Sequence, residues 1–178
     1  MIPGRNRRAV FREEALPHRE ALYRAALGMM RNPTVAEDLV QETYQEAWKS
    51  FHGYQAGSDC KAWLFRILFR IRSKHLRKQG RFQWVEVEDV SEERLAVEPA
   101  GTRQLENQEI LSIIQSLPEH YRTVLLLADA EGFTYQEIAH ITELPLGTVM
   151  SRLNRGRNMF RKKFLQACRD DDRAGGAG

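Results

Sequence analysis

The sequence predicts an all-α protein of two small helical domains joined by a flexible acidic linker. Three observations carry that expectation. Apolar residues recur at three- and four-residue spacing through most of the 178 residues, the signature of amphipathic helices. No strand alternation competes; only Trp84 to Val90 shows period two, and it is short, acidic and isolated. From Glu86 to Glu109 eight acidic residues stand against Arg94 and Arg103, with Pro99 and Gly101 inside, which is the composition of a solvated chain extended by like-charge repulsion. The expected layout is a basic disordered leader over 1–13, a first domain over 14–82, the linker over 83–106, a second domain over 107–166 and a frayed tail over 167–178.

The elements follow in order. Arg5, Arg7, Arg8 and Arg12 give the leader its charge. A first helix is expected over about 14–30, broken by Arg31-Asn32-Pro33-Thr34, with Thr34 and Glu37 read as a capping box opening the next. That helix runs to about Phe51; Val35, Leu39, Thr43, Ala47 and Phe51 share one face, while Asp38, Gln41, Glu42, Gln45 and Glu46 form an acidic stripe. Gly53 and Gly57 mark a loop, and Ser58 or Asp59 caps a third helix from Cys60 to Lys78. In it Leu64, Ile67, Leu68, Ile71 and His75 face inward, and Arg66, Arg70, Lys74 and Arg77 or Lys78 form a cationic ridge.

In the second domain Pro118 suits the first turn of a helix ending near Gly132. Thr134 and Glu137 make another capping box before a short helix with Ile138, Ala139 and Ile141 inside, followed by a turn over Glu143 to Gly147. A last helix starting at Thr148 turns Val149, Leu153, Phe160 and Phe164 inward and Thr148, Ser151, Arg152 and Arg155 outward. Two short helices on a tight turn, the second polar and basic outside, are a helix-turn-helix.

Charge is segregated rather than abundant. The net charge is only +3, yet Lys61 to Trp84 carries eight Lys/Arg and Leu146 to Phe164 carries six, neither with an acidic residue. Local fields, not the sum, attract phosphates. In the last helix Arg152 and Arg155 are the candidate base readers, because Arg bonds guanine bidentately in the major groove. Thr148 and Ser151 sit near the helix start, where unpaired N–H groups favour phosphate, and Arg157, Arg161, Lys162 and Lys163 suit the DNA backbone. Around the first basic helix Trp63, Phe65, Phe69, Phe82 and Trp84 interleave the cations, a mixture that fits a melted strand; as plain core residues, Trp63 and Phe65 need no ligand.

Other classes are disfavoured. No apolar run approaches a membrane span, and Met1 to Arg12 lacks a signal-peptide core, so the expected location is cytoplasmic, with no membrane insertion. Cys60 and Cys168 have no partner at metal or redox spacing. The histidines His18, His52, His75, His120 and His140 show no ligand spacing, and no nucleophile and base form a motif. A catalytic protein such as a nuclease is thereby disfavoured, and the reading calls for no cofactor, no catalytic residue and no metal.

Three passages carry a resemblance covering about residues 14 to 165: Ala36-Glu37-Asp38-Leu39-Val40-Gln41-Glu42-Thr43; Lys61-Ala62-Trp63-Leu64-Phe65-Arg66-Ile67-Leu68; and Leu117-Pro118-Glu119, through Glu131-Gly132-Phe133-Thr134-Tyr135-Gln136-Glu137-Ile138-Ala139, to Gly147-Thr148-Val149-Met150-Ser151-Arg152-Leu153. In order and spacing they resemble the extracytoplasmic-function sigma factors, group IV of the sigma-70 family of bacterial RNA polymerase initiation subunits. Around Trp63 and Thr148 the chain is most similar to the subgroup governed by redox-responsive anti-sigma proteins.

The resemblance implies that the first domain is sigma region 2, a helical bundle binding the polymerase clamp coiled coil and the −10 element, and the second is region 4, binding the −35 element and the polymerase flap. It assigns Asp38, Gln41, Glu42, Gln45, Glu46 and Trp48 to core polymerase. Lys61, Trp63, Arg66, Arg70, Lys74 and Arg77 go to −10 DNA, with the Gly53 to Asp59 loop holding a flipped base. Thr148, Ser151, Arg152, Arg155, Arg157 and Lys162 go to −35 DNA. It also implies an anti-sigma factor that holds the chain inactive. Arg70 stands where relatives often have Asn, and Lys74 where they often have Asp or Asn, so promoter choice does not transfer. The rival reading is a stand-alone helix-turn-helix regulator, which would bind duplex DNA without polymerase.

Overall fold

The computed structural model describes residues 6–55, 57–78, 80 and 107–175. Among them there is no strand, and the elements are α1 (Arg7–Ala15), a 3-10 turn (Leu16–His18), α2 (Arg19–Met30), α3 (Pro33–Ser50), a 3-10 turn (Phe51–Gly53), α4 (Cys60–Lys78), α5 (Asn107–Ser116), α6 (Glu119–Leu125), a π-helical turn (Leu126–Ala130), α7 (Tyr135–Thr142) and α8 (Leu146–Gly175). The protein is all-α, with a first domain built from α1 to α4 and a second from α5 to α8. The acidic spacer, Arg5, Phe82 and the Trp84 to Val90 segment lie outside the described residues.

The first domain packs α2, α3 and α4 around Leu22, Ala26, Leu39, Ala47, Leu64 and Leu68, all essentially buried. The leader expected to be disordered is instead a helix from Arg7. Asn6 caps it by accepting from the Arg8 N–H at 3.0 Å. Phe11 inserts among aromatic rings, with centroids 5.0 Å from Phe51 and 5.2 Å from Trp48, and Arg7 lies 4.6 Å over the Trp48 ring. Burial of Val10, Phe11 and Ala15 outweighs the repulsion among the arginines, each worth little at a solvated surface.

Two further expectations are corrected. The 14–30 helix is two helices split at Pro17, whose ring favours the 3-10 turn. The cap of α3 is Asn32, whose Oδ1 accepts from the Val35 N–H at 3.1 Å, with Pro33 at the first helical position; the Thr34 box is not used. A better cap two residues earlier wins, because Pro33 fixes φ for helix entry and lacks the N–H that would go unpaired there.

In the second domain the Thr134–Glu137 capping box forms as its spacing predicts: the Thr134 N–H donates to Glu137 Oε2 at 2.7 Å and the Glu137 N–H donates to Thr134 Oγ1 at 3.3 Å. Glu143, at φ 57°, ends α7 in the left-handed conformation. The last helix begins at Leu146, two residues before the expected start, and runs to Gly175, so the segment from 167 expected as a frayed tail is helical through 175. Gly156 lets α8 lie against α6: a Cβ there would stand 3.0 Å from Leu125 and 3.3 Å from Tyr121. Phe160 and Phe164 pack with Ile113 and Cys168 in a satellite cluster.

The two domains share one continuous core, in which Leu64 and Phe65 of the first join Phe133 and Ile138 of the second. Helix α4 lies against α7, and α2 against α6. Among the described residues no helix is long and apolar enough to cross a membrane.

Candidate nucleic-acid interface

The first turns of helix α8 form the second helix of the helix-turn-helix after α7, with Val149 and Leu153 buried beneath. Thr148, Ser151, Arg152 and Arg155 are all half-buried. The Ser151 hydroxyl donates to the Thr148 carbonyl at 3.1 Å. Arg152 lines a cavity that also holds His120, and burial lowers its pKa from the usual guanidinium value. Arg157 is committed within its own domain: it donates to both Asp129 carboxylate oxygens, at 2.6 and 3.2 Å, and to the Tyr135 hydroxyl at 3.0 Å. The Asp129 bonds, then the Tyr135 bond, raise its pKa further above the ordinary value. Lys162 is exposed. Met150 and Asn154 are also exposed on this helix, beside the expected cations and hydroxyls. Rotation of about 100° per residue puts Asn154 about 20° from Gly147 and about 60° from Ser151 on the outward side, a signal present in the sequence.

On α4 the cations divide by partner. The Lys61 ammonium donates to the Glu131 carbonyl at 2.7 Å and lies 3.2 Å from its carboxylate, with the Phe133 ring centroid at 4.8 Å. Arg66 contacts His140 Nε2 at 3.1 Å, and Arg70 donates to Glu46 at 3.5 Å. Arg72, 4 % exposed, pairs with Glu119 and stacks its guanidinium 5.1 Å over Phe69. Lys74 and Arg77 are exposed. Trp63 is half-buried against Tyr54, ring centroids 4.9 Å apart, so most of its face is spent within the domain. Arg66, Arg70, Arg77 and Arg152 all border the same cavity of about 380 Å³ between the domains. The structure thus brings one residue expected at −35 DNA together with three expected at −10 DNA.

The acidic stripe is placed as its spacing predicts: Asp38, Gln41, Glu42, Gln45 and Trp48 are exposed on α3, and Glu46 is half-buried. Glu42 meets His75 at 3.1 Å. Cys60 and Cys168 are buried free thiols, and burial pushes the Cys60 pKa up to about 11, so it is no ready thiolate. Among the described residues no group of His, Cys, Asp and Glu is arranged to hold a metal ion.

Comparison with known proteins agrees with this geometry. Residues 16–82 match the family model for sigma-70 region 2 and residues 107–159 the model for sigma-70 region 4. The chain is 35 % identical over 150 residues to the ECF RNA polymerase sigma factor EcfG of Rhodopseudomonas palustris, covering 83 % of this chain and 81 % of that one. It is 32 % identical over 149 residues to the ECF RNA polymerase sigma factor SigE of Mycolicibacterium smegmatis, covering 81 % of this chain but only 57 % of that relative's length. Among solved structures it is similar to the sigma factor RpoE of Bartonella quintana, in complex with the anti-sigma factor NepR, at TM-score 0.68 and 33 % identity, with 88 % of this chain and 96 % of that one covered.

Proposed function

This chain belongs to the extracytoplasmic-function sigma factors, and we propose that it directs bacterial RNA polymerase core to specific promoters, melts the −10 region and works in the cytoplasm as a non-catalytic initiation subunit. The observation that carries the reading is the pairing in one chain of region 2, with a cationic α4, and region 4, with a helix-turn-helix. We assign it to group IV because residues 83–106 alone separate the two matched regions, leaving no room for a further domain between them.

Each surface has a role. The exposed α3 stripe of Asp38, Gln41, Glu42, Gln45 and Trp48, with Glu46 at its edge, docks on the polymerase clamp; its charge complements a basic surface and speeds encounter. Region 4 also engages the flap. Lys61, Trp63, Arg66, Arg70, Lys74 and Arg77 receive the melted −10 strand, by charge and by stacking. Thr148, Ser151, Arg152 and Arg155 face the −35 major groove, with Lys162 on phosphate. Arg157 serves this surface as a brace: held by Asp129 and Tyr135, it fixes α8 relative to α7. An anti-sigma factor is the expected antagonist, since the similar RpoE was solved with one.

The test is run-off transcription from genomic promoters with purified core polymerase. The sigma reading expects promoter-specific transcripts only when chain and core are both present. Specific duplex binding by the chain alone, with no affinity for core, would instead establish the stand-alone regulator.

A further inference from the structure

We propose that the cavity lined by α4 together with α6, α7 and α8 is a binding site for a small phosphorylated molecule of nucleotide size, its phosphate held by arginines and its organic body by an apolar wall. The site goes beyond the sigma-factor reading and does not depend on it.

Volume and charge select the ligand class. At about 380 Å³ the cavity falls at the small end of the range that holds cofactors and other small ligands. Five arginines line it, four from α4 and Arg152 from α8, against only Glu119 and Glu143. Glu119 is already paired with Arg72, and Glu143 is exposed to water. Of the other cations, Arg66 contacts His140 at 3.1 Å, a partner that brings no negative charge, and Arg70 reaches Glu46 only at 3.5 Å. Arg152 is half-buried and has no carboxylate partner among the described residues. Burial lowers its pKa, and burial together with the charge of Arg152 lowers that of His120, which lines the same cavity. Both shifts record positive charge held away from water without a counterion.

Two buried polar groups point to the same ligand. Thr123, 4 % exposed, lines the cavity, and its hydroxyl has no hydrogen-bond partner among the described residues. Thr43 and Thr142, also buried within helices, each donate to the carbonyl one turn back at 2.7 Å, the usual outlet for such a hydroxyl; Thr123 does not. Arg72 Nε is likewise unpaired, although the far end of its guanidinium meets Glu119. A donor left unpaired so far from water carries a desolvation cost. Phosphate, with three strong acceptor oxygens and negative charge, answers a hydroxyl and several guanidinium groups at once. Val124, Ile141 and Leu144 of the second domain add an apolar wall, which inorganic phosphate has no means to use and an organic body does.

Isothermal titration calorimetry of the full chain with ADP, adenosine and inorganic pyrophosphate reads both halves of the site. ADP should bind one to one, and adenosine, without phosphate, and pyrophosphate, without an organic body, should each bind at least about tenfold more weakly. Thr123→Val keeps the shape of the side chain and removes only the hydroxyl; Arg152→Gln removes one guanidinium. A hydrogen bond to a charged group is worth about tenfold or more in affinity, so each variant should weaken ADP by about that factor. Arg12→Ala, which removes an exposed cation outside the cavity, should leave ADP binding unchanged. No binding of ADP at about 1 mM overturns the proposal, as does pyrophosphate that binds as tightly as ADP. Cavity variants that bind like the wild type overturn it too, and so does an equal loss in Arg12→Ala, the mark of anions drawn to any basic surface. Where circular dichroism shows Arg152→Gln misfolded, Thr123→Val decides. Core-dependent transcription judges the sigma-factor reading separately, so failure of either leaves the other standing.

Discussion

The contact between Phe65 and Phe133 gives the core shared by the two domains an energetic test. The two rings belong to different domains, are 1 % and 6 % exposed, and meet at 4.9 Å with an interplanar angle of 68°. An edge-to-face pair of this kind is worth about 0.5–1.5 kcal/mol beyond the area it buries. Phe65→Leu and Phe133→Leu nearly conserve volume, so each alone should cost up to about 1.5 kcal/mol in packing, together with the lost pair. Because the pair is lost only once, the double variant should be about 0.5–1.5 kcal/mol more stable than the summed single losses require. Urea unfolding followed by circular dichroism and tryptophan fluorescence measures this cycle, and on heating each kilocalorie should appear as about 2–4 °C. A coupling within about 0.3 kcal/mol of zero, or two separate transitions, would refute the shared core from which the argument starts.

Other outcomes follow from single sites. Arg152→Ala or Arg155→Ala should lose about 1–3 kcal/mol at a specific −35 base pair, whereas Lys162→Ala should weaken all sequences alike; a promoter library transcribed by holoenzyme separates the two patterns, and a uniform loss for Arg152 would remove it from base reading. Burial, reinforced by the nearby charge of Arg152 at His120 and of Lys61 at His18, lowers both histidine pKa values below 6.5. The unfolded chain therefore takes up protons that the folded one refuses once pH drops below about 6.5, so stability should fall as pH drops from there and be level above it. His120→Gln should flatten part of that slope in melts run across the range. Thr134→Ala removes the acceptor for the Glu137 N–H and should cost about 0.5–2 kcal/mol, seen as a lower melting temperature that Thr134→Ser restores.

Periodicity made most of the fold legible. The spacing of Leu39, Thr43 and Ala47, and of Leu64 and Leu68, identified buried faces that the structure realises, and the Thr134–Glu137 box marked its helix start to the residue. What escaped was decided by contacts distant in sequence. The leader reads as a charged arm until Phe11 finds Phe51, forty residues on. Arg72 and Arg122 stand in no motif of the sequence, yet both are buried against the opposite domain, and no local pattern tells an arginine that will meet a distant carboxylate or carbonyl from one that will meet water. Glu131 stands in the sequence only as one member of a motif, and nothing local shows that it anchors two cations of the other domain.

The same ambiguity bears on how basic helices are read. A cationic face says that an anion will be its partner, and phosphate is only one choice. On α4, Lys61 and Arg72 have found carboxylates of region 4, and Arg70 one of region 2. On the assignment proposed above, Lys61 and Arg70 would have to exchange these carboxylates for phosphate. DNA offers one phosphate charge about every 1.7 Å and releases counterions on binding, so it outbids a few carboxylates once both domains can reach it.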